Sequence, residues 1–117
     1  MVVDDEAPLL NLMQAFLSKV GYTVEPFSNA SNALATLRTR SDEFQVLVAD
    51  LTMPDMSGDQ LGLQAARLNG TLRVLLCSGY PFDVHNIPED VRSRFATLQK
   101  PFLPKMLTEA IDRLVNS

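Results

Sequence analysis

Asp4 and Asp5 near the start of the chain, Asp50 near its middle, Ser78 and Lys100 further on are the residues whose types could do chemistry together. Three carboxylates brought close repel one another, so such a cluster either raises some of its pKa values or recruits a cation. Oxygen donors without His or Cys favour a hard ion, and two carboxylates with waters and a phosphate suit octahedral Mg2+. Protonated Lys100 cannot ligate a metal but can pair with a carboxylate or a phosphoryl oxygen, and Ser78 can donate its hydroxyl hydrogen to the same phosphoryl group. A carboxylate nucleophile whose incoming phosphate meets a cation, a lysine and a hydroxyl is a phosphoryl-transfer site. Each residue alone says little, since Asp-Asp pairs are commonly solvated turns or helix caps. The signal lies in their combination, which depends on where the chain's elements put them.

Residues 1–4 read as a short buried strand, and Pro8 suits the first turn of a helix over 7–20. Leu9, Leu12, Met13, Phe16, Leu17 and Val20 repeat at helical spacing, and Gly21 ends the helix. A second strand is expected over 22–26, then a helix capped by Ser28 or Asn29 with Ala30, Ala33, Leu34 and Leu37 inward. Residues 44–49 read as a strand buried on both faces that delivers Asp50 at its end. After the loop 51–58 come a helix over 59–68, a strand over 72–77 ending at Ser78, a strand over 95–98 ending at Lys100, and an amphipathic helix over 104–115. Pro81 and Pro88 interrupt 80–94, so the fourth helix is expected short or distorted.

Alternating strands and helices with continuous apolar strands imply an α/β fold, a parallel sheet covered by helices on both faces. In such sheets binding groups gather outside the carboxyl ends of the strands. Asp4 and Asp5, Asp50, Ser78 and Lys100 each follow a different strand, so four strand ends aim polar groups at one place.

The 117 residues suit one domain, and an apolar fraction of 46% is enough for one sizeable core. A net charge of −4 argues against a nucleic-acid partner, which needs clustered Lys and Arg. The single Cys77 lies in an apolar run and reads as a small buried hydrophobe. No apolar run is long enough to span a bilayer and the N-terminus does not read as a signal peptide, so a soluble cytoplasmic setting is expected, without direct membrane contact. The chain opens abruptly, which leads us to expect a domain, 1–117, excised from a longer parent.

The apolar-then-acidic Val2-Val3-Asp4-Asp5-Glu6, the loop Asp50-Leu51-Thr52-Met53-Pro54-Asp55-Met56-Ser57-Gly58, Ser78-Gly79 and Lys100-Pro101-Phe102 closely resemble the response regulator receiver family of two-component systems, over essentially the whole chain. The resemblance implies the flavodoxin-like strand order 2-1-3-4-5 with helices on both faces. It implies that Asp50 is the phosphoacceptor, taking a phosphoryl group from a histidine kinase or histidine phosphotransfer domain, and that the domain promotes its own phosphorylation and dephosphorylation. Mg2+ would be held directly by Asp5, through water by Asp4, and by Asp50 and the Thr52 carbonyl. Ser78 would follow the phosphoryl group, Lys100 would bridge it to an Asp, and the Lys100-Pro101 peptide would be cis, as X-Pro bonds permit. Two positions depart from the family's best-known switch. Thr97 stands where many members carry Tyr or Phe three residues before the lysine, and the fourth helix is eroded. Ser78-Gly79-Tyr80 with Leu98-Gln99-Lys100-Pro101-Phe102 looks more like receivers of hybrid sensor histidine kinases than like those preceding DNA-binding domains.

Two other functions compete. A degenerate receiver used only as a binding module would not need the complete set of Asp4, Asp5, Asp50, Ser78 and Lys100. A Mg2+-dependent phosphohydrolase with an Asp nucleophile typically has a second Asp two residues on, where this chain has Thr52. The lone His85 excludes an internal His-to-Asp relay and reads as a surface loop residue. Tyr80 and Phe82 are expected to cover the core under the irregular segment, Met53 and Met56 to serve in loop packing or docking, and Arg92 and Arg94 to form a solvated face.

Overall fold

The computed structural model describes residues 1–116, in which strands and helices alternate. They are β1 (Val2–Val3), α1 (Ala7–Lys19), β2 (Pro26–Phe27), α2 (Ala30–Arg40), β3 (Val46–Asp50), α3 (Gly58–Leu68), β4 (Arg73–Ser78), α4 (Glu89–Arg92), β5 (Phe95–Gln99) and α5 (Pro104–Val115). Single 3-10 turns occupy Ser41–Glu43 and Val84–Asn86. All strand pairs are parallel and their order is β2-β1-β3-β4-β5, as expected.

The central strands are apolar throughout because successive side chains enter opposite cores. Leu47, Ala49, Val74 and Leu76 pack with Ala33, Leu37, Leu61 and Ala65 of α2 and α3. Val48, Leu75 and Cys77 pack with Leu10, Met13, Leu17, Leu107 and Ile111 of α1 and α5. Leu37, Leu47, Leu61, Leu75, Leu76 and Leu107 are fully buried, each contributing about 2 kcal/mol by removal from water. Burial pushes the Cys77 thiol up to about 12, which keeps it an inert hydrophobe.

The structure corrects the buried face of α1. Leu10, Met13 and Leu17 are buried, whereas Leu12 and Val20 are 50% and 57% exposed. Leu12 lies five residues from Leu17, about 140° around the helix, so the two cannot share a face. Gly21 follows the helix with φ of 104°, the left-handed conformation that a C-terminal cap needs. The second strand is Pro26–Phe27, shorter and later than the expected 22–26 and sharing only Pro26 with it, because Val2 and Val3 of β1 pair with Pro26 and Phe27. Asn29 supplies the α2 cap, its side chain accepting from the Asn32 N–H at 2.8 Å.

The eroded fourth helix is a 3-10 turn and four residues of α4, seated by buried Ile87 and Val91. Phe82 packs on the core as expected, but Tyr80 is 55% exposed. Arg92 and Arg94 are not a solvated face. Arg92 donates to the Ile87 carbonyl at 3.0 Å, and Arg94 donates to the carbonyls of Ala66, Asn69 and Leu72 at 3.0, 2.9 and 3.1 Å. Those acceptors lie at the end of α3 and in the turn before β4, where carbonyls lack helical partners. Arg67 and Asp90 add an ion pair between α3 and α4. Arg94→Ala is expected to cost about 2 kcal/mol in urea unfolding, since three carbonyls lose one charged donor fork. Arg94→Lys should recover little of it, because an ammonium cannot span the three. A loss under about 0.5 kcal/mol would mean that water replaces the guanidinium.

Candidate functional site

The cluster forms because parallel strands bring their C-terminal ends to one edge of the sheet. Asp4 follows β1, Asp50 ends β3, Ser78 ends β4 and Lys100 follows β5. The Lys100 backbone N–H donates to the Ser78 carbonyl at 2.7 Å, which extends the β4–β5 ladder and fixes where the lysine leaves the sheet. Its peptide bond to Pro101 is cis, as expected.

Lys100 Nζ lies 3.3 Å from Asp4 Oδ2 and 3.1 Å from Asp50 Oδ1. Asp4 is fully buried, and its other oxygen accepts the Glu6 N–H at 2.8 Å. Asp50 is also buried, and Asp5 is exposed. One carboxylate oxygen from each of the three lies within 4.8 Å of the others. Burial pushes the Asp50 carboxyl above its ordinary value; Lys100 opposes the shift, and Asp4 adds to it. Burial alone would lower Lys100, but its hydrogen bond to Asp50 and the charges of Asp4 and Asp50 outweigh that and raise it. The ammonium therefore stays protonated between two acids, and one more cation would complete the balance.

Two sequence-derived candidates, Ser78 and Thr52, each meet Tyr80. Ser78 Oγ donates to the Tyr80 carbonyl at 2.6 Å and accepts the Tyr80 N–H at 3.1 Å, so its hydroxyl is turned into its own loop. Thr52 Oγ1 lies 3.4 Å from the Tyr80 hydroxyl. The sequence thus brings Asp4, Asp5, Asp50 and Lys100 together, while Ser78 sits at its strand end engaged elsewhere.

The loop between β3 and α3 is pinned at several points that sequence reasoning missed. The Gly58 N–H donates to the Leu51 carbonyl at 2.8 Å, and a Cβ on Gly58 would stand 2.3 Å from the Asp50 carbonyl oxygen. Only glycine lets α3 begin against that backbone. Met53 is buried and Met56 packs on the same core, which assigns both to loop packing. Asp55 reaches the start of α2, accepting from the Ser31 N–H at 2.9 Å, the Ser31 hydroxyl at 2.8 Å and the Ala30 N–H at 3.4 Å. A cap supplied across 24 residues leaves no local pattern, although the Gly ending the loop was a visible cue to a close approach.

The family model of the response regulator receiver domain matches residues 1–112. The chain belongs to that family. This receiver is similar to the response regulator receiver protein CpdR of Brucella abortus (strain 2308), 25% identical over 115 residues covering 98% of this chain and 94% of CpdR. It is also similar to the sensor kinase CckA of the same organism, 28% identical over 117 residues, 98% of this chain but 12% of CckA. Among solved structures, the CheY-like receiver domain from Methanospirillum hungatei JF-1 superposes with a TM-score of 0.83 at 28% identity, covering 98% of this receiver and 90% of that chain. The protein is thus a receiver domain of two-component signalling, a family that interacts with histidine kinases and phosphotransfer partners and typically binds Mg2+ at an acidic pocket. Among the described residues no helix is long and apolar enough to cross a membrane.

Proposed function

We propose that this receiver accepts a phosphoryl group on Asp50 from the phosphohistidine of a kinase or phosphotransfer domain, with Mg2+ bound. The observation that carries the reading is the clustering of three carboxylates, two of them paired with one lysine, with Lys100 Nζ 3.3 Å from Asp4 Oδ2 and 3.1 Å from Asp50 Oδ1. An oxygen-only donor set fits Mg2+ rather than a softer metal. Asp4 has both oxygens engaged, by Glu6 and Lys100, which favours Asp4 acting through water and leaves exposed Asp5, Asp50 and the Thr52 carbonyl as direct ligands. Bound there, the ion would offset the negative charge that otherwise repels an incoming phosphate.

In the transfer a carboxylate oxygen of Asp50 attacks phosphorus, the bond between phosphorus and the imidazole nitrogen breaks, and that nitrogen keeps the electron pair. Lys100 stays charged throughout and pairs with a phosphoryl oxygen. Ser78 exchanges the Tyr80 carbonyl for a phosphoryl acceptor, a differential contact of the kind that shifts a two-state loop. Thr97 is exposed and too small to fill a ring-sized pocket, and the arginines hold α4 to α3, so the change concentrates in the loops after Asp50 and Ser78. Similarity to CckA supports a place in a phosphorelay fed by such a kinase. Incubation with acetyl phosphate should give one added phosphoryl group by intact mass with Mg2+ and at most about a tenth of it with EDTA, because the carboxylates without the ion repel the incoming phosphate. An equal signal in EDTA would remove the cation from the reading.

A further inference from the structure

The Asp55 tie to α2 links the phosphoacceptor loop to an element that takes no part in the chemistry. We propose that Asp55 is a positioning residue for the cation site, holding the loop that carries the Thr52 carbonyl by docking its outer part on the first turn of α2; this rests on the function proposed above. At its inner end the loop is closed by the Gly58 N–H on the Leu51 carbonyl. At its outer end the Asp55 carboxylate takes the N–H groups of Ala30 and Ser31 and the Ser31 hydroxyl. Asn29 takes the Asn32 N–H, and the Ala33 N–H reaches the Asn29 carbonyl, so the first turn of α2 is satisfied half by its own chain and half by the loop.

The direction of the effect follows from which side of this contact can move. Helix α2 is anchored by four buried side chains, Ala30, Ala33, Leu34 and Leu37, whereas the loop from Thr52 to Asp55 is anchored by buried Met53 alone, with Thr52, Pro54 and Asp55 exposed. The helix is the fixed partner, and the carboxylate transmits its position to the loop. A carboxylate at a helix N-terminus is also favoured by the helix dipole, and those donors hold Asp55 below the ordinary carboxylate range. A few tenths of an ångström of freedom in the loop matters because Mg2+ demands near-ideal octahedral geometry.

The same helix supplies its own control. Asn29→Ala uncaps α2 without touching the loop, whereas Asp55→Ala uncaps it and frees the loop. Mg2+ affinity of the unphosphorylated protein would be measured by calorimetry beside the melting midpoint, for wild type, Asn29→Ala, Asp55→Ala and Asp55→Asn. Both alanine variants should lower the midpoint. Asp55→Ala alone should weaken Mg2+ binding, by about fivefold, with Asn29→Ala within about twofold of wild type. Asp55→Asn keeps an acceptor oxygen for Ser31 and should restore most of the affinity. Equal Mg2+ affinity in Asp55→Ala and wild type, or equal weakening in the two alanine variants, would overturn the positioning role and leave Asp50 chemistry standing. Wild type that binds no Mg2+ would instead overturn the proposed function, and this role with it.

Discussion

Asp50→Asn is expected to abolish phosphoryl incorporation and, in the same protein, to raise thermal stability. The first effect follows from removing the nucleophile, because an amide oxygen does not form the acyl phosphate. The second follows from the direction of the Asp50 pKa. Burial, aided by Asp4, lifts the carboxyl above its ordinary value despite Lys100. A carboxyl with a folded pKa above its unfolded value binds its proton more tightly in the folded state. The stability it contributes is present at low pH and is lost as pH rises from the ordinary value of 3.8 through the raised one. At neutral pH the ionised group is therefore a liability, and a neutral isostere removes it. Melting in EDTA should give a higher midpoint for Asp50→Asn at pH 7, with the gap closing as pH falls below the ordinary carboxyl range. A lower midpoint at pH 7 would mean that the pair with Lys100 outweighs burial.

Gly58→Ala should be the most destabilising single-methyl change near the site. The new Cβ would meet three backbone atoms, the Asp50 carbonyl oxygen at 2.3 Å, the Asp50 carbonyl carbon at 2.9 Å and Leu51 Cα at 2.9 Å. None is the end of a flexible side chain, so either α3 or the end of β3 must shift. The expected cost is about 3 kcal/mol, at the upper end for overpacking. Displacing Asp50 should also weaken Mg2+ binding. Gly70→Ala is the comparison, since nothing stands within 4 Å of a Cβ there, and its effect should stay within about 0.5 kcal/mol. Similar urea midpoints for the two variants would show that the backbone at Gly58 yields more easily than its contacts imply.

Element order and the residues gathered at the strand ends were legible in the sequence for a physical reason, whereas the sheet order followed from the family resemblance. Strands covered on both faces are written as apolar runs, and the runs stop at the polar residues that matter, Asp4 after Val3, Asp50 after Ala49 and Ser78 after Cys77, while Lys100 follows the half-exposed edge strand β5, two residues after Leu98. Less legible was anything decided by tertiary geometry. The α1 face was misread because Leu12 and Val20 keep helical spacing without facing the sheet. Arg94 read as a surface charge because its acceptors are backbone carbonyls, which carry no sequence identity. Asp55 was visible only as part of a loop motif, and its cap on α2 depends on how the chain crosses between layers. Ser78 illustrates a third case, in which the residue was placed correctly and its hydroxyl was found turned to Tyr80.

The central claim is that Asp50 receives a phosphoryl group from a phosphohistidine, and radiolabelled phosphotransfer tests it most directly. A histidine phosphotransfer domain carrying labelled phosphate would be mixed with this receiver, with Mg2+ or with EDTA, and the label on each protein followed over time. The account predicts that label leaves the histidine and appears on the wild-type receiver only with Mg2+, and that Asp50→Asn leaves the donor fully labelled. Label on Asp50→Asn at the wild-type level would contradict it by placing the acceptor elsewhere in the chain.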